Sequence, residues 1–375
     1  MRILLTAPAS WLIDKVGIFW PFFFGTLLAL ISCLMIGFAD SMTVLFLSRA
    51  FHGIAGTGIE ISGIVYLAVR YQDDENLKGF VLGMVISSFA FGTLIGPTLG
   101  SVMYGLISQS APFLALSVII LASLVFTPMV MPVNVTVPVT ESSPSAITLL
   151  MNPCTLLVSV LAMTTTLGIA FTNATLPIWL KSSFKTPEWE IGLIFVPTSA
   201  AHIVSGPLIG YWSKTLKRWR CMLIGSLAMA IGIATLPLCN MIWQLIPSMT
   251  LIGFGFGTVD STLIGIMYRI VDVWHEGAQS SAAAVFVFEF CLAYTIGLLT
   301  SGAIVGFIGF KWTMWSLAIA IVVSSPFCLL LSRIQEERET KQPLLPKPEV
   351  LLPPCLPTTI EDKPQPLPDE SSHLL

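Results

Sequence analysis

The sequence predicts an all-α protein that crosses a lipid membrane several times. Of its 375 residues, 55% are hydrophobic and only 10% are charged. A soluble domain carries about 25% charged residues, because its surface faces water. The hydrophobic residues also form blocks about 20 residues long, the length a helix needs to cross roughly 30 Å of hydrocarbon. Helices are the expected spanning elements because a helix satisfies its own backbone hydrogen bonds in lipid.

The predicted spans follow one another with short polar loops between them. A first block over residues 1–12 is too short to cross a bilayer alone, and four complete blocks follow it before a polar break. Six complete blocks follow the break. The four blocks are 17–38, 42–64, 79–104 and 111–132, and the six are 153–174, 190–212, 219–239, 243–268, 280–307 and 312–332.

This pattern divides the chain into four regions. Residues 1–132 form an N-terminal half with part of one span and four complete ones, and residues 153–332 form a C-terminal half with six spans. Between them, residues 133–152 are predicted to be a cytosolic loop containing Pro, Ser, Thr and Asn. Residues 333–375 are rich in proline and charge, which predicts a disordered cytosolic tail.

Basic residues predict which end of the spans faces the cytosol, because cytosolic loops carry an excess of Lys and Arg. One set of loops carries eight basic residues and the other carries three. The eight are Lys15, Arg70, Lys78, Lys214, Lys217, Arg218, Arg220 and Arg269, and the three are Lys181, Lys185 and Lys311. The end with eight is therefore predicted to be cytosolic, together with the C-terminus.

Arg49, Glu60 and Asp260 are charged residues inside predicted spans, where a charge is costly and a functional role is expected. Arg49 is about seven residues into its span, and Glu60 lies eleven positions later on almost the same helix face but about 16 Å further along the axis. Asp260 lies deep in a later span, where a carboxylate can take up a proton or bind a cation. Structural alternatives remain open. Arg49 can cap carbonyl groups, and Asp260 can be neutralised by an arginine.

A polar motif lies where the first block turns into the second. The segment from Ser10 to Gly17 resembles the G-x-x-x-D-R-x-G loop motif of major facilitator transporters, with Ser10 replacing the first glycine and Lys15 replacing arginine. Asp14, Lys15 and Gly17 are therefore predicted to form a gating loop, since an acidic and a basic group beside a helix end can form charge-assisted bonds. The alternative is an ordinary basic loop.

A second motif lies in the block 79–104. Gly92, Gly96, Pro97 and Gly100 form a G-x-x-x-G-P-x-x-G pattern that resembles the antiporter motif of drug:proton exchangers in the same superfamily. Small residues at this spacing let neighbouring helices approach closely, and proline can bend a helix. Simple helix packing is the alternative explanation.

Several longer segments resemble the vesicular amine transporter family, in matching order over about residues 1–332. They are FLSRAFHGIAGTG, YQDDE, GSVMYGLISQSAPFLAL, NATLPIWL, TVDSTLIGIM and IVDVWH. The resemblance implies a major facilitator bundle of twelve helices in two pseudo-symmetric halves, with the first span and most of the second missing here. It also implies uptake of a monoamine or acetylcholine-like cation into secretory or synaptic vesicles, in exchange for luminal protons.

By position, Arg49 and Asp260 match membrane-embedded charges of that family, but two other positions differ. Asn173 stands where the family has a glutamate, and Val287 stands where it has an aspartate. Glu289 lies two residues beyond Val287, about 200° around a helix, so it is expected to face another direction. The proton-coupling residues predicted here are Asp260, Arg49, Glu60 and Glu289.

Aromatic and polar side chains near these charges suggest a substrate cavity. Asn173, Trp179 and Tyr268 are predicted to line it, because aromatic rings can bind an amine through cation–π contacts. His202 can titrate in an acidifying vesicle. Aromatic residues in spans more often pack or anchor the helix, and packing is also the more common role for a span histidine.

The sequence contains no nucleotide-binding loop, catalytic triad or metal-ligand spacing, so we expect no enzyme activity, cofactor or bound metal. The predicted partners are a small cationic amine, protons and the lipid bilayer, without nucleic acid. The tail ends in an acidic dileucine pattern (ESSHLL) of the kind that sorting adaptors bind. Two alternative functions remain: a drug:proton antiporter of other specificity, and a truncated relative that does not transport.

Overall fold

Apolar helices make up almost all of the described chain. The computed structural model describes residues 2–133, 145–212, 216–274 and 278–328. Within these ranges, nine helices are long and apolar enough to cross a membrane, and no strand is present. The prediction of an all-α membrane protein is confirmed.

Five helices precede the central loop, and we call them the first set. Their boundaries lie close to the predicted blocks because polar caps and turns interrupt the apolar runs. Asp74 caps α4, for example, by accepting hydrogen bonds from the amides of Asn76 at 2.9 Å and Leu77 at 3.1 Å. The helices are α1 (Arg2–Val16), α2 (Phe19–Gly37), α3 (Met42–Arg70), α4 (Glu75–Leu106) and α5 (Ala111–Val130).

The helices after residue 145 form the second set. The predicted span 190–212 is interrupted at Phe195, and the two last predicted spans are joined as one helix of 46 residues. That helix breaks at Gly309, where φ is 81°, into arms over 279–308 and 310–324. The set comprises α6 (Ala146–Leu150), α7 (Pro153–Phe184), α8 (Glu188–Ile194), α9 (Val196–Trp212), α10 (Arg218–Thr235), α11 (Ile242–Trp274) and α12 (Gln279–Ser324), and a short 3₁₀ turn (Leu236–Leu238) follows α10.

The central loop is only partly described. Residues 146–150 form the short helix α6 inside the predicted loop, and residues 134–144 lie outside the described ranges. The predicted tail, 333–375, also lies outside them.

Two apolar cores hold the helices together. One lies wholly within the second set and includes Leu176, Ile233 and Met249. The other joins the two sets, because Ile13 of α1 and Leu82 of α4 belong to the same buried cluster as residues of α11 and α12. We call the end of the bundle where α1 and α3 finish and α4 and α10 begin the basic end. The two sets pack against each other there.

Candidate functional site

Four glycines bring the two sets of helices into backbone contact at the basic end. Gly79 and Gly83 of α4 lie against Gly210 and Gly206 of α9. A methyl group added at Gly83 would lie 2.8 Å from the carbonyl carbon of Gly206, and one added at Gly210 would lie 2.9 Å from that of Gly79. Neither position tolerates a side chain without separating the helices.

Charged side chains reinforce this contact. Glu75, at the start of α4, lies 2.6 Å from the guanidinium of Arg218 and 3.7 Å from that of Arg269. One turn further along α4, the ammonium of Lys78 lies 4.9 Å from the centre of the Tyr268 ring. Because Arg218, Arg269 and Tyr268 belong to the second set, these contacts connect the two sets.

The predicted gating loop also connects them. Gly17 has a φ of 87°, a conformation that glycine adopts without strain, and this explains the glycine at the end of the motif. Asp14 accepts a hydrogen bond from the hydroxyl of Ser280 on α12. Burial raises the pKa of the Asp14 carboxyl, and the bond from Ser280 opposes that rise. Lys15 instead lies over the Trp11 ring at 5.0 Å.

The antiporter-like motif lies further along α4 and takes no part in this closure. A side chain added at Gly92, Gly96 or Gly100 would meet no described atom within 4 Å. The structure therefore shows no close helix approach at these glycines. The side chain of Pro97 lies outside the described part of the structure.

An ion pair connects α1 and α3 near the middle of the bundle. Nη1 of Arg2 lies 3.0 Å from Oε2 of Glu60, and their side chains are 34% and 30% exposed. Cys291 of α12 lies near both. The sequence separation along α3 predicted no direct pairing of Glu60 with Arg49, and the structure pairs Glu60 with Arg2. Arg49 itself is exposed and has no carboxylate within ion-pair distance among the described residues.

Gly56 makes room for the Arg2 guanidinium. A methyl group at Gly56 would lie 2.7 Å from Cζ and 3.0 Å from Nε of Arg2. We therefore expect Gly56→Ala to displace Arg2 from Glu60 and to lower the free energy of unfolding by up to about 1 kcal/mol, the range of partly exposed ion pairs. Adding Glu60→Gln should then cost little more, because the pair is already broken.

Thermal unfolding in detergent measures this effect. Gly63→Ala is the matched control on the same helix, because its methyl group would meet only Phe22, at an ordinary 3.6 Å. Additive losses from Gly56→Ala and Glu60→Gln would contradict the assigned role of Gly56.

Two buried carboxyl groups lie near each other within the second set. Asp260 on α11 is 4% exposed and Glu289 on α12 is 2% exposed. They are close enough to interact electrostatically, and Ser159 of α7 is also near Glu289. Neither oxygen of Glu289 has a hydrogen-bond partner among the described residues. Val287 is also buried. The side chains at positions 287 and 289 leave the helix in different directions, as predicted, but both directions lead into the protein interior.

The acidic residues lie at similar depths. Glu60 is ten residues before the end of α3, Asp260 is fourteen before the end of α11, and Glu289 is ten after the start of α12. At 1.5 Å per residue they lie about 15 to 21 Å from the basic end. All three acidic residues therefore lie inside long apolar helices and away from their basic ends.

Asn173 belongs to a polar and aromatic cluster that the sequence did not reveal. Its amide nitrogen donates a hydrogen bond of 3.1 Å to the hydroxyl of Tyr294 on α12. Phe290 stacks on Tyr294 at 5.7 Å and meets the ring of Phe89 on α4 edge-on at 5.5 Å. The four-residue spacing of Phe290 and Tyr294, which places them on one helix face, was the available signal.

The other two predicted cavity residues lie elsewhere. Trp179 is six residues beyond Asn173, about 9 Å further along α7, and stacks on Phe310 at 4.6 Å. Tyr268 is eight residues beyond Asp260, near the basic end, where Lys78 covers it. The structure therefore does not bring Asn173, Trp179 and Tyr268 together. The described residues also include no group of three His, Cys, Asp or Glu that could hold a metal ion.

Comparison with known proteins places this architecture in a family. The protein-family model described as Major Facilitator Superfamily matches residues 2–286 and 158–359 of the chain. The chain belongs to the Major Facilitator Superfamily. A solved superfamily structure, the human organic anion transporter MFSD10 (TETRAN), has a TM-score of 0.74 and covers 87% of this chain and 80% of its own, at 14% identity. That likeness concerns the fold alone.

Within the superfamily, the chain is similar to vesicular amine transporters. It is 31% identical over 341 residues to the chromaffin granule amine transporter of Rattus norvegicus, and 32% identical over 343 residues to the synaptic vesicular amine transporter of Mus musculus. Each alignment covers 91% of this chain. The chain spans 65% of the first relative and 66% of the second.

Proposed function

We propose that this chain is a secondary transporter that exchanges protons for a small cationic amine. The observation that carries the proposal is the buried pair Asp260 and Glu289, which has no arginine or lysine within ion-pair distance among the described residues. Two acidic groups buried inside apolar spans are costly as anions unless a proton or a cation binds them. Protons and an amine are ligands of that chemistry.

The transport step we propose is alternating access between two sets of helices. The glycine contact and the Glu75 pairs hold the sets together at the basic end, and such contacts must separate when that end opens. We assign residues 1–132 and 153–332 as the two halves that move. Asp14, with Ser280, is assigned to the gate at this end, and Arg49 to a partner of Asp260 or Glu60 in another state.

We propose that the basic end faces the cytosol, because the loops there carry the excess of Lys and Arg. The opposite end then faces the lumen of a secretory or synaptic vesicle, and the C-terminal tail is cytosolic. The amines that relatives of this type are named for are the proposed cargo. Adaptors that bind acidic dileucine signals are the proposed partners of the tail.

The test is uptake of radiolabelled serotonin, dopamine and acetylcholine into vesicles from cells that express the chain. We expect uptake of at least one amine that stops when an ionophore collapses the proton gradient. Vesicles from cells without the chain are the control. Absence of gradient-dependent uptake of all three, with the chain detected in the vesicles, would contradict amine loading.

One observation favours a second candidate, a drug:proton antiporter of other specificity. Asn173 is a neutral amide at a position where the related family carries an acid. It donates a hydrogen bond to Tyr294 of the aromatic cluster. A changed charge beside an aromatic cluster is a plausible origin of a changed substrate. A competition screen with other organic cations, including polyamines, distinguishes the two candidates in the same vesicles. Inactivity toward every cation would favour a protein that does not transport.

A further inference from the structure

His202 lies where α4, α9 and α11 meet, at the level where the two sets begin to touch. Its side chain is 5% exposed, and its ring meets the ring of Phe256 on α11 edge-on at 5.1 Å. Gly257 of α11 lies directly against the imidazole. From the first set, the hydroxyl of Ser87 donates a hydrogen bond of 3.5 Å to the His202 carbonyl. His202 therefore lies between the two sets, with its ring against α11 and its carbonyl group against α4.

One nitrogen of this buried ring is unpartnered. Nε2 of His202 has no hydrogen-bond partner among the described residues. The large majority of buried polar side-chain atoms are hydrogen-bonded, and an exception calls for an explanation. A nitrogen that binds a proton in another state of the transport cycle would have no partner in the state that is closed at the basic end.

A carboxylate that could stabilise such a proton is nearby on α11. Asp260 lies three and four residues after Gly257 and Phe256, one helical turn further along the same face. Asp260 is thus the carboxyl group of α11 that follows the residues touching the ring, while the hydroxyls of Ser87 on α4 and Ser205 on α9 both donate to the His202 carbonyl. Glu289 on α12 interacts with Asp260.

The ring is also coupled to the closed end of the bundle. Gly206, which packs against Gly83 of α4, lies one turn beyond His202 on α9. An imidazolium buried at this position is costly unless it gains a paired anion or water. Separation of α4 from α9 would admit water, and a shift of Asp260 would supply an anion. Protonation therefore favours the state in which the two sets are apart at the basic end.

We propose that His202 is a proton-binding residue that converts acid at the opposite end into opening of the basic end. A proton from water at the opposite end binds Nε2, and Asp260 stabilises the imidazolium. The same proton leaves to water at the basic end once α4 and α9 have separated. This step rests on the proposed function for its place in transport, but the proton-driven opening is measurable without any amine.

The test uses Phe80 and Tyr211, whose rings lie 6.4 Å apart across α4 and α9 at the basic end. Phe80→Cys and Tyr211→Cys are combined, and a short thiol crosslinker reports the closed state in vesicles held at neutral or acidic luminal pH. We expect luminal acid to lower crosslinking at least about threefold, a modest population shift. His202→Gln, added to this pair, should remove that response.

Single-cysteine versions control for reaction with native cysteines. His52→Gln is the matched control, because His52 lies on α3, in the first set, and should leave the acid response intact. If His202→Gln fails to reach the vesicles, His202→Asn takes its place. An acid response that survives His202→Gln or His202→Asn would overturn the proposal. The proposal would also fail if crosslinking of the Phe80→Cys and Tyr211→Cys protein with His202 intact did not respond to luminal acid. An acid response without uptake of any amine would instead contradict the proposed function alone.

Discussion

Asp260→Asn is expected to abolish proton-driven amine uptake, with a fall of at least about tenfold, or 1.4 kcal/mol of transition-state free energy. The amide is nearly the same size as the carboxyl, so the packing of α11 should survive. It can neither take up a proton nor balance a cation in a site that is 4% exposed. Uptake into vesicles, normalised to the amount of protein present, measures the effect.

Three further variants make that result specific. Asp260→Glu keeps the charge and should retain part of the uptake, whereas an exposed acid such as Asp40 should tolerate Asn without loss. Glu289→Gln tests whether the interaction between the two carboxyl groups matters. If Asp260→Asn transports like the parent protein, the proton site lies elsewhere and the assignment fails.

Gly83→Ala is expected to disrupt the closed basic end. Its methyl group would lie 2.8 Å from the carbonyl carbon of Gly206 and 2.9 Å from Cα of Pro207. These are backbone atoms of α9, so they cannot rotate away as a side chain would. Inserting a methylene into a packed interface costs about 1–3 kcal/mol, which shifts the closed state by about 5- to 150-fold. Uptake should fall accordingly.

Crosslinking between positions 80 and 211 reads that shift directly, and Gly83→Ala should lower it at neutral pH. Gly92→Ala is the matched control, since it makes the same change on the same helix where no described atom lies within 4 Å. We expect Gly92→Ala to leave both crosslinking and stability unchanged. Equal losses from the two substitutions would show that replacing any glycine of α4, and not contact with α9, causes the effect.

The sequence predicted the spans well because each is set by local composition. Apolar blocks of membrane length gave every long helix, although the break at Phe195 and the joining of the last two spans at Gly309 were not foreseen. Both depend on backbone angles at one residue, which a count of apolar residues does not detect. The buried position of Asp260 followed from the cost of a charge in an apolar span.

The contacts between distant residues could not be predicted in the same way. Arg2 and Glu60 are 58 positions apart, and only the packing of α1 on α3 brings them together. Sequence spacing drew attention to Gly92 and Gly96, but the glycines that pack closely are Gly79 and Gly83 on the same helix. Both pairs have the same four-residue spacing. Which pair meets a neighbour depends on where the two sets touch.

The glycine contact between α4 and α9 has a consequence for how such a protein can diversify. The surfaces that meet there are main-chain atoms, which are the same whatever side chains line the interior. Under the proposed function, amino-acid changes around Asn173 or Glu289 would alter which cargo is recognised while the surfaces of α4 and α9 keep their fit. The side chains that would select the cargo can therefore change during evolution while the main-chain contact between α4 and α9 stays the same.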